Sequence, residues 1–147
     1  MRKTAAVFCL WGASLANGPT HAQSSWFTVI GDDRDGASDT IQVDPESMTS
    51  GDIRTLRVRV NRAVTRTSWD KIPYRSYQSL VRFDCVNRSA RYISITYFTS
   101  PLWKGEASRT SDYTSGTPRP MLFLDVSPNP SARIVRAACA GTEGDKK

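Results

Sequence analysis

The chain has 147 residues and a formal net charge of +6, with 39% hydrophobic and 23% charged residues. That length accommodates about one domain, and that balance excludes both a disordered polyelectrolyte and a multi-span membrane protein. The start of the chain carries Arg2 and Lys3, then an apolar stretch from Ala5 to Leu15, then Thr20-His21-Ala22 ending on a small residue before Gln23. This is the pattern of a secretory signal peptide over residues 1–22, cleaved on export, and it is too short and wrongly flanked for a stable membrane helix. No later segment approaches the roughly 18 apolar residues a membrane span requires. Cys9 lies inside the apolar stretch behind the bulky Phe8, whereas lipoprotein processing acts at the end of such a stretch after small residues, so no convincing lipid anchor is read there.

Cleavage leaves residues 23–147 as a single domain of net charge +4, without the chain's one histidine, His21, and with Cys85 and Cys139 as its two cysteines. Loss of the histidine excludes Ser-His, Cys-His and His-metal chemistry from the mature chain. Two cysteines in an exported chain allow one intramolecular pairing.

The elements follow in order. Trp26 to Ile30 is a β-branched and aromatic run stopped by Gly31, and it predicts a first strand. Residues 32–36, rich in aspartate, form a turn. Thr40 to Asp44 is a second strand closed by Pro45, with a short helical turn after it that Asp44 is placed to cap. From Leu56 to Asn61 strict alternation sets Leu56, Val58 and Val60 on one face and Arg57, Arg59 and Asn61 on the other, the signature of a half-buried antiparallel strand. Tyr77 to Cys85 is a further strand, with Tyr77, Val81, Phe83 and Cys85 on one face. Residues 86–89 form a connection of hairpin length, and the Tyr-, Ile- and Thr-rich run Arg91 to Phe98 is its partner. Residues 115–120 are the clearest break, beyond which a structured tail is expected. Pro128 to Pro130 precede a predicted helix from Ser131 to Cys139, capped by Ser127 or Asn129 and ended by Gly141, with Ile134, Val135, Ala138 and Cys139 on one apolar face. So short a helix is marginal alone in water, and a Cys85–Cys139 bond is expected to fasten it to the sheet.

Chemistry-bearing motifs are sparse. No G-x-S-x-G, phosphate-binding glycine loop or C-x-x-C is present. Ser68 and Lys71 have the spacing of a Ser-Lys pair but in isolation. The acidic turn at 31–36 fails as a calcium loop, because aligning Gly36 with the loop's glycine puts Gly31 and Gln42 where carboxylates belong. No catalytic residue, cofactor or metal site is therefore expected, and the chain is read as not an enzyme. Charge is uneven: residues 23–52 hold seven acids and one base, and residues 53–147 hold seventeen bases and seven acids. The bases are mostly arginine, interleaved with Tyr74, Tyr77 and Tyr92. Such a surface is either a solvated sheet face or a site for acidic partners, such as sulfated glycans or acidic protein loops. Export argues against nucleic acid as a partner. Asn87-Arg88-Ser89 is a formal glycosylation sequon.

The order of these pieces resembles the bacterial surface-adhesin E (protein E-like) family. The resemblance rests on Trp26, Val43-Asp44-Pro45, Leu56-Arg57-Val58, the block from Tyr74-Arg75-Ser76 to Phe83-Asp84-Cys85, Tyr97-Phe98, Trp103-Lys104-Gly105 and the terminal Ala137-Ala138-Cys139. It covers about residues 26–140. It implies an α+β fold: a single antiparallel sheet of about six strands, with a C-terminal helix docked on it by a disulfide. It implies a non-enzymatic adhesin at the cell surface or outer membrane that binds host extracellular-matrix or serum proteins, with Arg75, Arg82, Arg88 and Arg91 as candidate contacts. The other reading from sequence is a periplasmic or envelope-associated module that acts by forming a homodimer or by edge pairing.

Overall fold

Alternating apolar and polar residues build the centre of the sheet. In the computed structural model, which describes residues 26–141, they form two long strands, β3 (Ile53–Thr67) and β4 (Pro73–Asp84). The predicted signal peptide and Cys9 lie outside the described residues. Around the central pair stand β1 (Phe27–Ile30), β2 (Thr40–Asp44), β5 (Ser89–Phe98) and β6 (Arg109–Asp112). The spatial order is β1-β2-β3-β4-β5-β6, each pair antiparallel, and a short β7 (Arg119–Pro120) also pairs with β5. The fold is a single antiparallel sheet of seven strands followed by one C-terminal helix, α1 (Ser131–Ala138).

One face of the sheet is the core. Leu56, Val58 and Val60 of β3, Val81 and Phe83 of β4, and Tyr92 and Tyr97 of β5 are buried there beneath Met121, Phe123, Ile134 and Ala138. Each such large apolar side chain contributes roughly 1.5–3 kcal/mol on burial. Cys139 follows α1 directly, and its bond to Cys85 at the end of β4 holds the two Cα atoms 5.2 Å apart. Arg54 reinforces this joint by donating to the carbonyls of Ala138 (2.7 Å) and Ala140 (3.2 Å). A cation there meets the unpaired carbonyls and negative end of the helix.

Several local expectations change. β3 runs 15 residues, well past Asn61, because its register with β4 shifts between Asn61 and Arg66 and lets the strand bend into a polar stretch. Asp44 does not cap the turn at Pro45–Ser47, since its carboxylate is taken by Arg57. The Ser47 hydroxyl does the local work, donating to Asp44 O and accepting the Arg57 N–H. At α1 the N-cap position is Pro130, with no side-chain cap. Asn129 instead accepts the Ser131 N–H at 2.9 Å and donates to Phe123 O. The expected break at residues 115–120 itself ends in β7, which pairs with Arg91 and Tyr92, and the tail after it is structured as expected.

Candidate binding surface

The face of the sheet opposite the core is polar, and strand register sets its side chains in rows. One row runs Asp44–Arg57–Leu80–Ser94 and the next Thr55–Arg82–Arg91. Arg57 opposes Leu80, two residues before Arg82 on the same face, so Arg57 and Arg82 are diagonal neighbours on adjacent strands. Arg82 and Arg91 face each other directly. Like charges in direct opposition destabilise a sheet by a fraction of a kcal/mol up to about 1. Among the described residues, the ion pairs are Arg57–Asp44, Arg62–Asp39 and Arg66–Asp125, and none relieves Arg82 or Arg91. The nearest compensation is Asp84, whose carboxyl is held below its usual pKa by hydrogen bonds from Asn87 and, more weakly, by the charge of Arg82.

At the β2–β3 end this arginine row continues into a stacked cluster. The guanidinium carbon of Arg59 lies 4.3 Å from the Trp26 ring centre and 4.0 Å from that of Trp103. Its Nε donates to Gln42 at 2.6 Å. Burial lowers its pKa to about 10, against the opposing pull of Asp33 and Asp44, so it remains charged at neutral pH. Arg57 also lies over Trp26, at 5.9 Å. Asp44 is fully buried, with one oxygen on Arg57 and the other without a hydrogen-bond partner.

Trp103 reaches this cluster through an unusual backbone. Leu102 and Trp103 both adopt positive φ, 55° and 58°, a conformation that costs a non-glycine residue about 1–2 kcal/mol. The surroundings over-determine it. Leu102 N–H donates to Asn61 Oδ1 at 2.7 Å, Trp103 N–H to Ser76 Oγ at 3.0 Å, and the indole N–H to Tyr77 O at 2.9 Å. Asn61 and Ser76 are buried on this face beneath the 101–103 turn. The Asn61 amide donates in turn to Ser38 O and Gly36 O, which ties in the acidic loop. Gly31 opens that loop at φ 85°, where an added Cβ would sit 2.3 Å from Asp39 O. The loop's aspartates serve local turns: Asp32 accepts the Arg34 N–H, and Asp35 the Ala37 N–H and Ser38 hydroxyl.

The four arginines singled out from sequence separate in space. Arg82 and Arg91 stand together on the polar face. Arg88 is exposed in the β4–β5 turn at φ 51°, beside a groove that Arg136 also lines. Arg75 lies at the far end of β4, where its guanidinium donates to Arg62 O of β3 at 3.1 Å and to Gly36 O at 2.8 Å and so ties the acidic loop to the sheet. Sequence reasoning placed Arg57 and Arg59 on one face by alternation but did not select them, and it missed Trp26 and Trp103 as their stacking partners. No local pattern announces that Trp103 folds back onto β3.

A seven-stranded antiparallel sheet with one packed face and one arginine-bearing polar face, closed by a helix on a disulfide, defines a small α+β domain. The family model for Surface-adhesin protein E matches residues 26–140, and the chain belongs to that family. No curated protein and no solved structure matches it. Membership makes the protein a surface adhesin by family, with binding of host molecules as the family's general role. Among the described residues, no helix is long and apolar enough to cross a membrane.

Proposed function

We propose that the protein is exported with loss of residues 1–22 and acts without catalysis, by binding acidic regions of host matrix or serum proteins, or acidic glycans, through Arg57, Arg82 and Arg91. Arg88 extends the same basic character to the end of the hairpin, and Arg75, at the other end of β4, holds the acidic loop against β3. The observation that carries this reading is the in-register Arg82–Arg91 pair. A like-charge pair is unfavourable in the free protein and becomes favourable when an anionic partner bridges it. Arginine is suited to such a role because its planar fork pairs with carboxylate and sulfate groups in bidentate fashion.

Binding of the protein to immobilised matrix glycoproteins and to heparin, measured across ionic strength, tests the proposal. Screening shortens from about 8 Å at 0.15 M salt to about 3 Å at 1 M, so affinity falls steeply with salt and falls again in the Arg82→Ala/Arg91→Ala variant. Binding that ignores both salt and the two arginines refutes it. A second copy of the chain is the other partner to test, because the short edge strand β1 leaves Phe27 62% exposed. A monomer in sedimentation at high concentration excludes that reading.

A further inference from the structure

The core side of the sheet is not filled at its β3–β4 turn end. A cavity of about 580 Å³ opens there, within the range of small-molecule sites. Its wall is made of Tyr74, Tyr77, Tyr92 and Tyr97, with neighbouring ring centres 5.2 to 6.2 Å apart. Three of these four hydroxyls are engaged with another phenol, Tyr77 with Tyr92 at 2.8 Å and Tyr97 with Tyr113 at 3.2 Å. The tyrosine wall therefore combines apolar ring surface with hydroxyls that mostly bond to other phenols. Exposed apolar side chains continue this surface outward: Trp69 is 46%, Leu122 52% and Leu124 66% exposed, and all three line the cavity. Leu122 also borders a second groove of about 700 Å³, lined with Met121 and Val135, so apolar surface extends outward from the mouth of the first cavity.

The charged lining is lopsided. Arg62, Arg66 and Lys71 line the cavity against one carboxylate, Asp125. Asp125 lies 3.6 Å from Arg66. Arg62 is 5% exposed. Its Nε is 3.4 Å from Asp39 Oδ1 but makes no hydrogen bond, and that oxygen already accepts the Ala63 N–H. The Nε of Arg66 is likewise buried without a hydrogen-bond acceptor. Buried donors of this kind are few in native proteins, and each costs about 1–3 kcal/mol while unmet. Both belong to side chains that border one aromatic cavity.

We propose that this cavity binds a small single-chain amphiphile, an acyl chain carrying one carboxylate. The chain lies on the tyrosine faces and extends past Leu122, and the carboxylate sits beside Arg62 and Arg66. The acyl body follows from the aromatic lining and the exposed Trp69, Leu122 and Leu124 that continue it outward. The anionic head follows from the two Nε donors without acceptors, on guanidiniums otherwise held only by the long Arg62–Leu124 O bond of 3.4 Å and by the Asp39 and Asp125 ion pairs, because charge-assisted hydrogen bonds to guanidinium are the strong ones. This site is on the opposite side of the sheet from the arginine row and stands independently of adhesion.

Calorimetric titration of the exported protein with decanoate, kept monomeric, tests the proposal, with quenching or enhancement of Trp69 fluorescence as a second readout. Saturable binding at one site is expected, with decanol at least about tenfold weaker for want of the charged head. Arg66→Gln, at a partly exposed position, weakens decanoate about tenfold while the melting temperature is retained, and Arg82→Ala leaves decanoate binding unchanged. Arg66→Met, which keeps the length of the stem without the charge, is the second variant should Arg66→Gln fold poorly. Absence of saturable binding overturns the proposal. So does decanol binding as tightly as decanoate, or affinity that survives the folded cation variants.

Discussion

Replacing Cys85 and Cys139 together by alanine removes a tie across 54 residues of sequence. The chain-entropy relation assigns such a loop about 4 kcal/mol at 25 °C, exerted through the unfolded state. The lost sulfurs leave a void in the core worth about 1 kcal/mol more. Alanine is preferred to serine because Cys85 is 5% and Cys139 0% exposed, and a hydroxyl there would need a partner. The helix keeps its other attachments: Ile134 and Ala138 remain on the core, and Arg54 still reaches Ala138 O and Ala140 O. The variant should therefore fold with a loss of about 5 kcal/mol, a large share of a typical stability of about 5–15 kcal/mol. Urea unfolding followed by circular dichroism measures it, and the slope should steepen because an unbridged chain exposes more surface when unfolded. A loss below about 1 kcal/mol with an unchanged slope would refute the idea that loop closure constrains this chain.

Three further outcomes follow from the geometry. Arg82→Ala should raise the melting temperature slightly, since relieving a directly opposed like-charge pair is worth about 0.2–1 kcal/mol, while salt-sensitive binding to matrix proteins falls; loss of stability together with loss of binding would contradict the assignment. Arg59→Met should destabilise by about 1–2 kcal/mol, between the cation–π values for exposed and desolvated sites, and should shift the indole emission of Trp26 and Trp103; an unchanged denaturation midpoint would mean that the stacking contributes nothing. All five tyrosines have phenol pKa values raised chiefly by burial. The native state then holds protons that the unfolded chain releases near pH 10, so stability is full below that pH and declines as pH rises above it. Arg59, lowered to about 10, acts in the opposite sense, but as one group against five. Tyrosinate absorbance should stay flat through pH 10 and appear with unfolding, and a smooth titration in the folded protein would count against the buried cluster.

Much of the scaffold was legible in the residues. Leu56, Val58 and Val60 declared a core face because a strand alternates its side chains strictly, and the structure keeps them buried. The pairing of Cys85 with Cys139 followed from reading the chain as exported with two cysteines left, and the apolar stripe of α1 from its helical spacing. The same alternation placed Arg57 and Arg59 together but left open what met them. β6 carries Arg-Thr-Ser-Asp and β7 only Arg-Pro, so neither has the apolar alternation that marks a strand. Each forms because β5 offers unpaired backbone along its edge.

By itself the sequence determined which residues face the core, which cysteines could join and which family the chain resembles, because these rest on periodicity and residue type along a continuous segment. Tertiary structure alone decided that Trp103 closes over Arg59, that Arg82 stands opposite Arg91 while Arg75 ties the acidic loop to β3, and that four tyrosines from β4 and β5 border a cavity with Arg62 and Arg66. Those facts depend on register, on a bend in β3 and on a turn held at positive φ by distant side chains, and none of these is encoded by the spacing of neighbours in the chain.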